Sequence, residues 1–367
     1  MKPTQQLHDI GQSLWLDNIT RGLLNSGTLD RYIRELSVTG LTSNPTIFDH
    51  AVKNTNFYDD AIRLKMAEGK SGEELFFELA LEDLAKAADL FHPIHRKTQG
   101  MDGWVSLEVS PALAYNAERT IQEAKKLYSR ADRPNLFIKI PGTHQGLHAI
   151  EEAIFAGIPV NVTLLFSHEH YLWAAGAYTR GVERRIKAGL DPAVHSVASL
   201  FISRWDKAVF GKVPDSLRDR LGIAVAKQTY KAYRDFLDST SWRKLASEGA
   251  LPQRLLWAST GTKDPDASDV LYTTALAAPD TINTMPEETL LAFADHGTIS
   301  ELLPVDGGNF ESELKQFAEI HVDVLSLGER LQREGAGQFV TSWNELIACI
   351  NSKCEAIKKL ARASSAH

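Results

Sequence analysis

The sequence predicts an α/β fold, a single (β/α)8 TIM barrel with additional helices. Three observations predict it. Eight short apolar segments alternate with helix-patterned stretches, the order of a closed parallel barrel. Each of these segments delivers a polar or ionisable residue at or next to its carboxyl end. None is followed by a GxGxxG turn, which argues against the open, doubly wound dinucleotide sheet. The 367 residues contain no internal repeat or low-complexity linker, so residues 1–367 are read as one domain.

A helix-like start covers residues 1–12. Ser13–Asp17 reads as the first strand and ends on an aspartate. Residues 19–37 read as one helix and 37–42 as the second strand. Ser43-Asn44-Pro45 closes that strand, because proline biases the residue before it away from helix. At least two helices occupy 46–100. The clearer one starts at Ser71-Gly-Glu-Glu74, a capping-box pattern. Its apolar stripe is Leu75, Phe76, Leu79, Leu84 and Ala88, with Glu82 and Lys86 pairing on the outside.

Trp104–Glu108 is the third strand, ending on a glutamate before Ser110-Pro111, and 111–130 is helical. Residues 135–140 form the fourth strand. Thr143 caps the next turn, a helix over 147–155 closes at Gly157, and 158–163 is the fifth strand. Ser167 caps a helix running to about residue 188, and 194–199 is the sixth strand. Helices within 204–248 exceed what one crossover needs. Residues 254–258 form the seventh strand, followed by Ser259-Thr-Gly-Thr-Lys263, and 280–283 the eighth. Thr284-Met-Pro-Glu287 is a second capping-box pattern. The stretch from about 311 to 362 is helical, and a polar Ala/Ser tail follows.

The chemistry centres on Asn135-Leu-Phe-Ile-Lys139-Ile-Pro-Gly142. Phe137, Ile138 and Ile140 belong to a buried strand, and a lysine among them must be paired or neutralised. In water a lysine of pKa ~10.4 is neutral about once in a few thousand molecules at pH 7. Desolvation favours the neutral amine, the form that attacks a carbonyl. The strand ends deliver Asp17, Asn44, Glu108, Lys139, Asn161 with Thr163, Ser199, Ser259 and Asn283 to one rim, where such barrels hold their active sites. An amine, two carboxylates and a ring of amides and hydroxyls suit Schiff-base chemistry on a polyhydroxylated carbonyl compound.

The formal net charge of −7 gives no reason to expect nucleic acid or an acidic membrane surface as partner. A phosphorylated small molecule needs only a local cationic pocket. Cys349 and Cys354, on different faces of one helix, read as free structural thiols. The start of the chain has no signal-like apolar core and no apolar run is long enough to span a bilayer, so a cytoplasmic location is expected. His168 and His170 face apart on a helix, and no metal site is expected. Glu151-Glu152 reads as a solvated face, and Arg180, Arg184 and Arg185 as exposed charge.

Five segments in order resemble the motifs of transaldolase: Thr42-Ser-Asn-Pro-Thr46, Ser106-Leu-Glu-Val-Ser-Pro111, Phe137-Ile-Lys-Ile-Pro-Gly142, Asn161-Val-Thr-Leu-Leu-Phe-Ser167 and Ser199-Leu-Phe-Ile-Ser-Arg204. The likeness runs from Asp17 to Pro286 and is to the longer bacterial subfamily with the Ala258-Ser-Thr-Gly-Thr-Lys263 segment. It implies that Lys139 forms a Schiff base with a ketose phosphate and that Asp17 exchanges the proton of the C4 hydroxyl. Glu108 and Thr163 would hold the water used in iminium formation and hydrolysis. Asn44, Asn161 and Ser199 would bind the dihydroxyacetone moiety, and Arg204 the phosphate. Many relatives carry Ser-Phe-Arg after the seventh strand; here Ser259 and Lys263 stand there, a point charge in place of a bidentate fork. The implied reaction moves dihydroxyacetone from sedoheptulose 7-phosphate to glyceraldehyde 3-phosphate, giving erythrose 4-phosphate and fructose 6-phosphate. No cofactor is implied, the partners are sugar phosphates, and the protein would be a monomer or homodimer. The neighbouring alternatives are a class I aldolase that releases dihydroxyacetone and a silent sugar-phosphate-binding barrel; intact Lys139, Asp17 and Glu108 speak against the latter.

Overall fold

The computed structural model describes residues 1–364, with side chains as far as Lys359; the end of the polar tail, 365–367, lies outside the described residues. Eight strands close a barrel in sequence order: β1 (Ser13–Asp17), β2 (Val38–Thr42), β3 (Trp104–Glu108), β4 (Leu136–Pro141), β5 (Val160–Leu165), β6 (Ser196–Phe201), β7 (Gln253–Ala258) and β8 (Ile282–Met285). Every neighbouring pair is parallel, including β1 with β8.

Strand alternation sorts the side chains into an interior and a helix-facing set. Trp15, Trp104, Phe137, Val197, Leu256 and Ile282 form an apolar cluster inside the barrel. The residues between them, such as Leu14, Leu16, Val105, Leu107, Ile138 and Ile140, pack outward under the helices. Two residues beyond Trp15, Trp104 and Phe137 the same inward positions hold Asp17, Ser106 and Lys139, and Glu108 follows Ser106. The barrel is thus filled by hydrocarbon low down and by polar groups towards the carboxyl ends of the strands. Below the apolar layer, Arg254 donates to Ser13 Oγ (2.8 Å) and to the carbonyls of Thr281 (2.9 Å) and Met101 (3.0 Å). Gly40 on β2 makes room for Trp15: a Cβ there would sit 2.4 Å from the indole nitrogen.

Several local expectations change. The helix expected over 19–37 is two, Arg21–Asn25 and Thr28–Leu36, because Gly27 takes a left-handed φ of 74° between them. Ser71 stands at its helix's N-cap position but makes no capping bond, and the following Gly72 lies at φ 52°. Glu82 pairs not with Lys86 but with Arg21 (3.0 Å) and Lys65 (3.5 Å), which neighbouring helices bring to it. The second capping box fails because β8 extends through it: Thr284 is a strand residue whose hydroxyl bonds Thr42 Oγ1 (2.7 Å), and Pro286 takes the cap position. Nor are Glu151, Glu152, Arg180 and Arg184 separate solvated charges. Glu151 binds Arg180 at 2.7 Å and Arg184 at 3.0 Å, and Arg184 also pairs with Glu152, tying adjacent helices together.

The chain from 310 onwards forms two helices, Phe310–Glu319 and the 41-residue C-terminal helix Val324–Ser364. Cys349 and Cys354 lie on the second as free thiols. No helix among the described residues is long and apolar enough to cross a membrane.

Candidate active site

Parallel register brings the ionisable residues together. Glu108 on β3 is paired in register with Lys139 on β4, and Lys139 with Asn161 on β5. Lys139 Nζ lies 2.6 Å from Glu108 Oε1 and donates to the carbonyl of Ser43 at 3.1 Å. Only 6% of Lys139 and 7% of Glu108 is exposed. Burial pushes the Glu108 carboxyl above the usual range; Lys139, by charge and hydrogen bond, pulls it down, and Asp17 pushes it up. A carboxyl held in this way exchanges a proton with a neighbouring amine or water more readily than an ordinary surface glutamate.

Glu108 Oε2 and Thr163 Oγ1 are buried and have no partner among the described residues. Both residues line a cavity of about 10 Å³ behind Lys139, the space of one water centre. In front of Lys139 a cavity of about 990 Å³ opens at the barrel mouth. Its wall includes Asp17, Asn44, Lys139, Thr163, Ser199 and Arg204.

Asp17 is half-buried at the end of β1. Its Oδ1 accepts from Thr42 Oγ1 at 2.9 Å and its Oδ2 from Asn44 Nδ2 at 3.5 Å. Asn44 also caps the helix Pro45–Asn54 by accepting from the Ile47 amide at 3.2 Å, so the Asn-Pro turn places the amide as well as ending the strand. Burial raises the Asp17 carboxyl; Lys139, the bonds from Thr42 and Asn44, and Lys263 act against that rise. A base at this position loses its function as pH falls through its pKa. Replacing Thr42 with valine removes a bond that favours the charged form, so the pKa rises further. The acid limb of the kcat/KM profile should therefore move to higher pH in Thr42→Val. An unmoved or lowered limb would show that Asp17 does not set it.

The loop after β1 is held from behind. Arg21 Nε binds Asp83 Oδ1 at 2.8 Å, Tyr58 OH donates to Asp83 Oδ2 at 2.8 Å, and the Arg21 amide donates to that same tyrosine oxygen at 3.0 Å. This buried network anchors the first turn following Asp17 and Asn18.

Ser199 Oγ donates to Asn161 Oδ1 at 2.7 Å, and Asn161 Nδ2 donates to Ser106 Oγ at 3.1 Å. Asn161 is fully buried and lies beneath the cavity wall rather than on it, because β5 continues past it to Leu165. Asn283, expected at the rim, is also buried off the wall and accepts from Thr260 Oγ1 at 2.9 Å. Here β8 runs two residues further, and Thr284 takes the inward place.

Across the mouth, Arg204 lines the cavity with no carboxylate partner among the described residues. Its guanidinium stacks over Phe201 at 5.6 Å and hydrogen-bonds the Gln338 side chain. Burial pushes its pKa down, the mark of a cation without a compensating anion. Lys263 projects into the same cavity from the exposed loop after β7 and has no ion pair among the described residues. Ser259, at φ 57°, shares its hydroxyl with Ser203 (2.9 Å). Two uncompensated cations on one wall suit a phosphate.

The C-terminal helix supplies wall residues that strand-end reasoning could not reach. Gln338, Phe339, Thr341 and Ser342 face the large cavity. Gln332 Nε2 donates to the carbonyls of Gly142 (3.1 Å) and Leu164 (3.0 Å), and Thr46 Oγ1 donates to Ser342 Oγ (3.1 Å). Gly335 permits the close approach, since a Cβ there would lie 3.2 Å from Leu164 Cδ2. Leu164 itself is held at φ 61°, directly after Thr163. His168 and His170 act separately, as their spacing suggests. His168 lies 3.2 Å from Glu169, and the buried His170 accepts the Phe166 amide at 3.2 Å.

Sequence comparison finds relatives along nearly the whole chain. A sequence model of the family described as Transaldolase/Fructose-6-phosphate aldolase matches residues 14–350. A transaldolase from Thermobifida fusca is 44% identical over 356 residues, covering 94% of this chain and 96% of that protein. One from an Arthrobacter species is 41% identical, covering 97% and 99%. "Transaldolase 2" of a Nostoc species is 37% identical, covering 95% and 96%.

Proposed function

The chain belongs to the transaldolase/fructose-6-phosphate aldolase family, and we propose that it transfers a dihydroxyacetone unit from sedoheptulose 7-phosphate to glyceraldehyde 3-phosphate through a Schiff base on Lys139. The products are erythrose 4-phosphate and fructose 6-phosphate. The observation that carries this assignment is the buried Lys139–Glu108 pair at 2.6 Å, opening on one side to the large cavity and on the other to a water-sized one.

Lys139 attacks the ketose carbonyl, and the carbinolamine loses water to give the iminium. Glu108 and Thr163, with their unpartnered oxygens, hold that water and return it at hydrolysis. Asp17 takes the proton of the C4 hydroxyl as the C3–C4 bond breaks, and the electron pair passes to the iminium as an enamine. The first aldose phosphate leaves, the acceptor aldehyde enters, and Asp17 returns its proton to the new hydroxyl. Asn44 and Ser199 bind the hydroxyls of the dihydroxyacetone unit, with Asn161 orienting Ser199 from below. Arg204 clamps the phosphate, assisted by Lys263 and the Ser259 turn. The scheme uses no metal or organic cofactor, since the iminium is the electron sink. We place the reaction in the cytoplasm, on a single-domain chain acting as a monomer or homodimer, consistent with its free cysteines.

The test is borohydride reduction in the presence of fructose 6-phosphate, followed by peptide mass mapping. The expected adduct is on Lys139. An adduct on another lysine would move the site, and none under turnover conditions would remove the mechanism.

A further inference from the structure

Arg204 and Lys263, the cations that line the large cavity, are each followed closely by a carboxylate that turns the other way: Asp206 and Asp264. Only 5% of Asp206 and 6% of Asp264 is exposed. Neither lines the cavity, and neither pairs with its neighbouring cation among the described residues. Asp206 Oδ1 accepts the amide N–H groups of Leu221 (2.9 Å) and Gly222 (3.2 Å), and its Oδ2 accepts the Tyr272 hydroxyl at 2.8 Å. The two amides open the helix Leu221–Asp238, whose own cap residue makes no side-chain bond, so Asp206 supplies the acceptor that this helix start needs. Gly222 permits the approach, since a Cβ there would lie 2.7 Å from Asp206 Oδ2. Asp264 binds the guanidinium of Arg218, which also stacks over Phe210 at 5.5 Å. These ties close a circuit. Asp206 holds the Arg204 helix to Tyr272, beyond the Lys263 loop; Asp264 holds that loop to Arg218; and Arg218 leads directly to Leu221, back on Asp206.

We propose that Asp206 and Asp264 are positioning residues for the phosphate of the ketose donor, locking the Arg204 turn and the Lys263 loop to each other from behind. The proposal rests on the reading of Arg204 and Lys263 as the phosphate ligands. A carboxylate paired directly with Arg204 would compete with the phosphate for it. Placed behind, the same charge binds amides, a hydroxyl and a guanidinium, and leaves the cavity side of both cations to the substrate. The front of the two segments is joined where the Ser203 amide donates to the Ser259 carbonyl at 3.0 Å, but this bond fixes only their roots. Lys263 stands further out, on an exposed part of the loop, and the Asp264 tie is what holds that part. Setting both cations before the phosphate arrives removes their ordering cost from the binding step. Burial raises the Asp206 carboxyl to about 6, and Asp219 adds to the rise, against the bonds from Tyr272, Gly222 and Leu221. The group is therefore ionised at neutral pH and holds its donors by charge-assisted bonds. Neither carboxylate touches the reacting atoms, so their effect falls on phosphate binding and not on bond cleavage.

The experiment compares Tyr272→Phe, Arg218→Gln and their double variant with the wild type in dihydroxyacetone transfer to unphosphorylated glyceraldehyde. The donors are fructose 6-phosphate and fructose, and inorganic phosphate serves as competitive inhibitor. Both substitutions leave Asp206 its two amide bonds, so the helix start keeps its acceptor and the chain should fold. In the double variant the KM for fructose 6-phosphate and the Ki for inorganic phosphate should each rise by about tenfold, which corresponds to about 1.4 kcal/mol of binding. The kcat, and the kcat/KM for fructose, should stay unchanged, the pattern of a lost interaction shared by ground and transition states. Each single variant should show a smaller rise of the same kind. A purely structural role would lower kcat/KM for the two donors in proportion, and that result overturns the proposal. Unchanged KM and Ki in the folded double variant, when Arg204→Gln raises both, overturn this inference alone. If Arg204→Gln also leaves them unchanged, the phosphate reading falls together with it.

Discussion

Transfer activity in Lys139→Met is expected to fall by about 10⁵-fold or more, the scale seen when a covalent nucleophile is removed from a cooperating site. Methionine keeps most of the stem's volume inside the barrel and removes the amine, so the loss reports chemistry. The substitution also has a stability cost. Glu108 is almost fully buried and its main partner is Lys139. Breaking a buried pair from one side costs about 3–5 kcal/mol because the remaining charge is uncompensated. Glu108 reduces that cost by taking a proton, which its raised carboxyl pKa favours. The double variant Lys139→Met/Glu108→Gln, with no charge left to strand, should regain much of the lost stability in thermal melts while staying inactive. Appreciable activity in either variant would move the nucleophile elsewhere. A double variant no more stable than the single one would mean that the pair is not the electrostatic unit described here.

For Asp17→Ala the expectation is a separation of steps. Asp17 is bonded to Thr42 and Asn44 and makes no hydrogen bond or ion pair with Lys139 or Glu108 among the described residues, so carbinolamine formation need not pass through it. Borohydride should still trap the ketose phosphate on Lys139, while cleavage slows by about 10²–10⁴-fold, the usual contribution of a positioned acid–base group. Trapping followed over time against release of the aldose phosphate distinguishes the two steps. Normal cleavage would remove Asp17 from the mechanism. Loss of trapping would place it in Schiff-base formation instead.

Much of this candidate site is legible in the sequence. Lys139, Glu108 and Asp17 are anomalies in apolar strands, and a buried charge is conspicuous in any sequence. The rest depended on where each strand stops. Asn161 and Asn283 look like strand-end residues, yet β5 runs four residues past Asn161 and β8 two past Asn283. Asn161 becomes a support for Ser199 one layer down, and Asn283 lies off the wall and leaves the rim to Thr284. A one-residue error in a strand position exchanges its two faces, so polarity alone does not say which amide meets the substrate. The second capping box failed for a related reason: a four-residue pattern cannot tell whether a strand has ended. Thr284 matched the pattern while still paired in the barrel.

The order and alternation of apolar segments were enough to establish the parallel barrel, and one costly lysine was enough to mark the end at which its ionisable residues gather. Both are local properties, carried by neighbouring residues and by the energy of burying them. The Phe339 ring on the cavity wall and the uncompensated cation at Arg204 are of another kind. Residue 339 lies 200 positions beyond Lys139, on an amphipathic helix whose pattern says only that one face is buried. What that face covers was decided by contacts between distant segments: Gln332 on the carbonyls of Gly142 and Leu164, Gly335 against Leu164, and Ser342 against Thr46. Burial free energy is non-directional, so it drives such a helix onto the barrel without specifying where; shape and hydrogen bonding select the mouth.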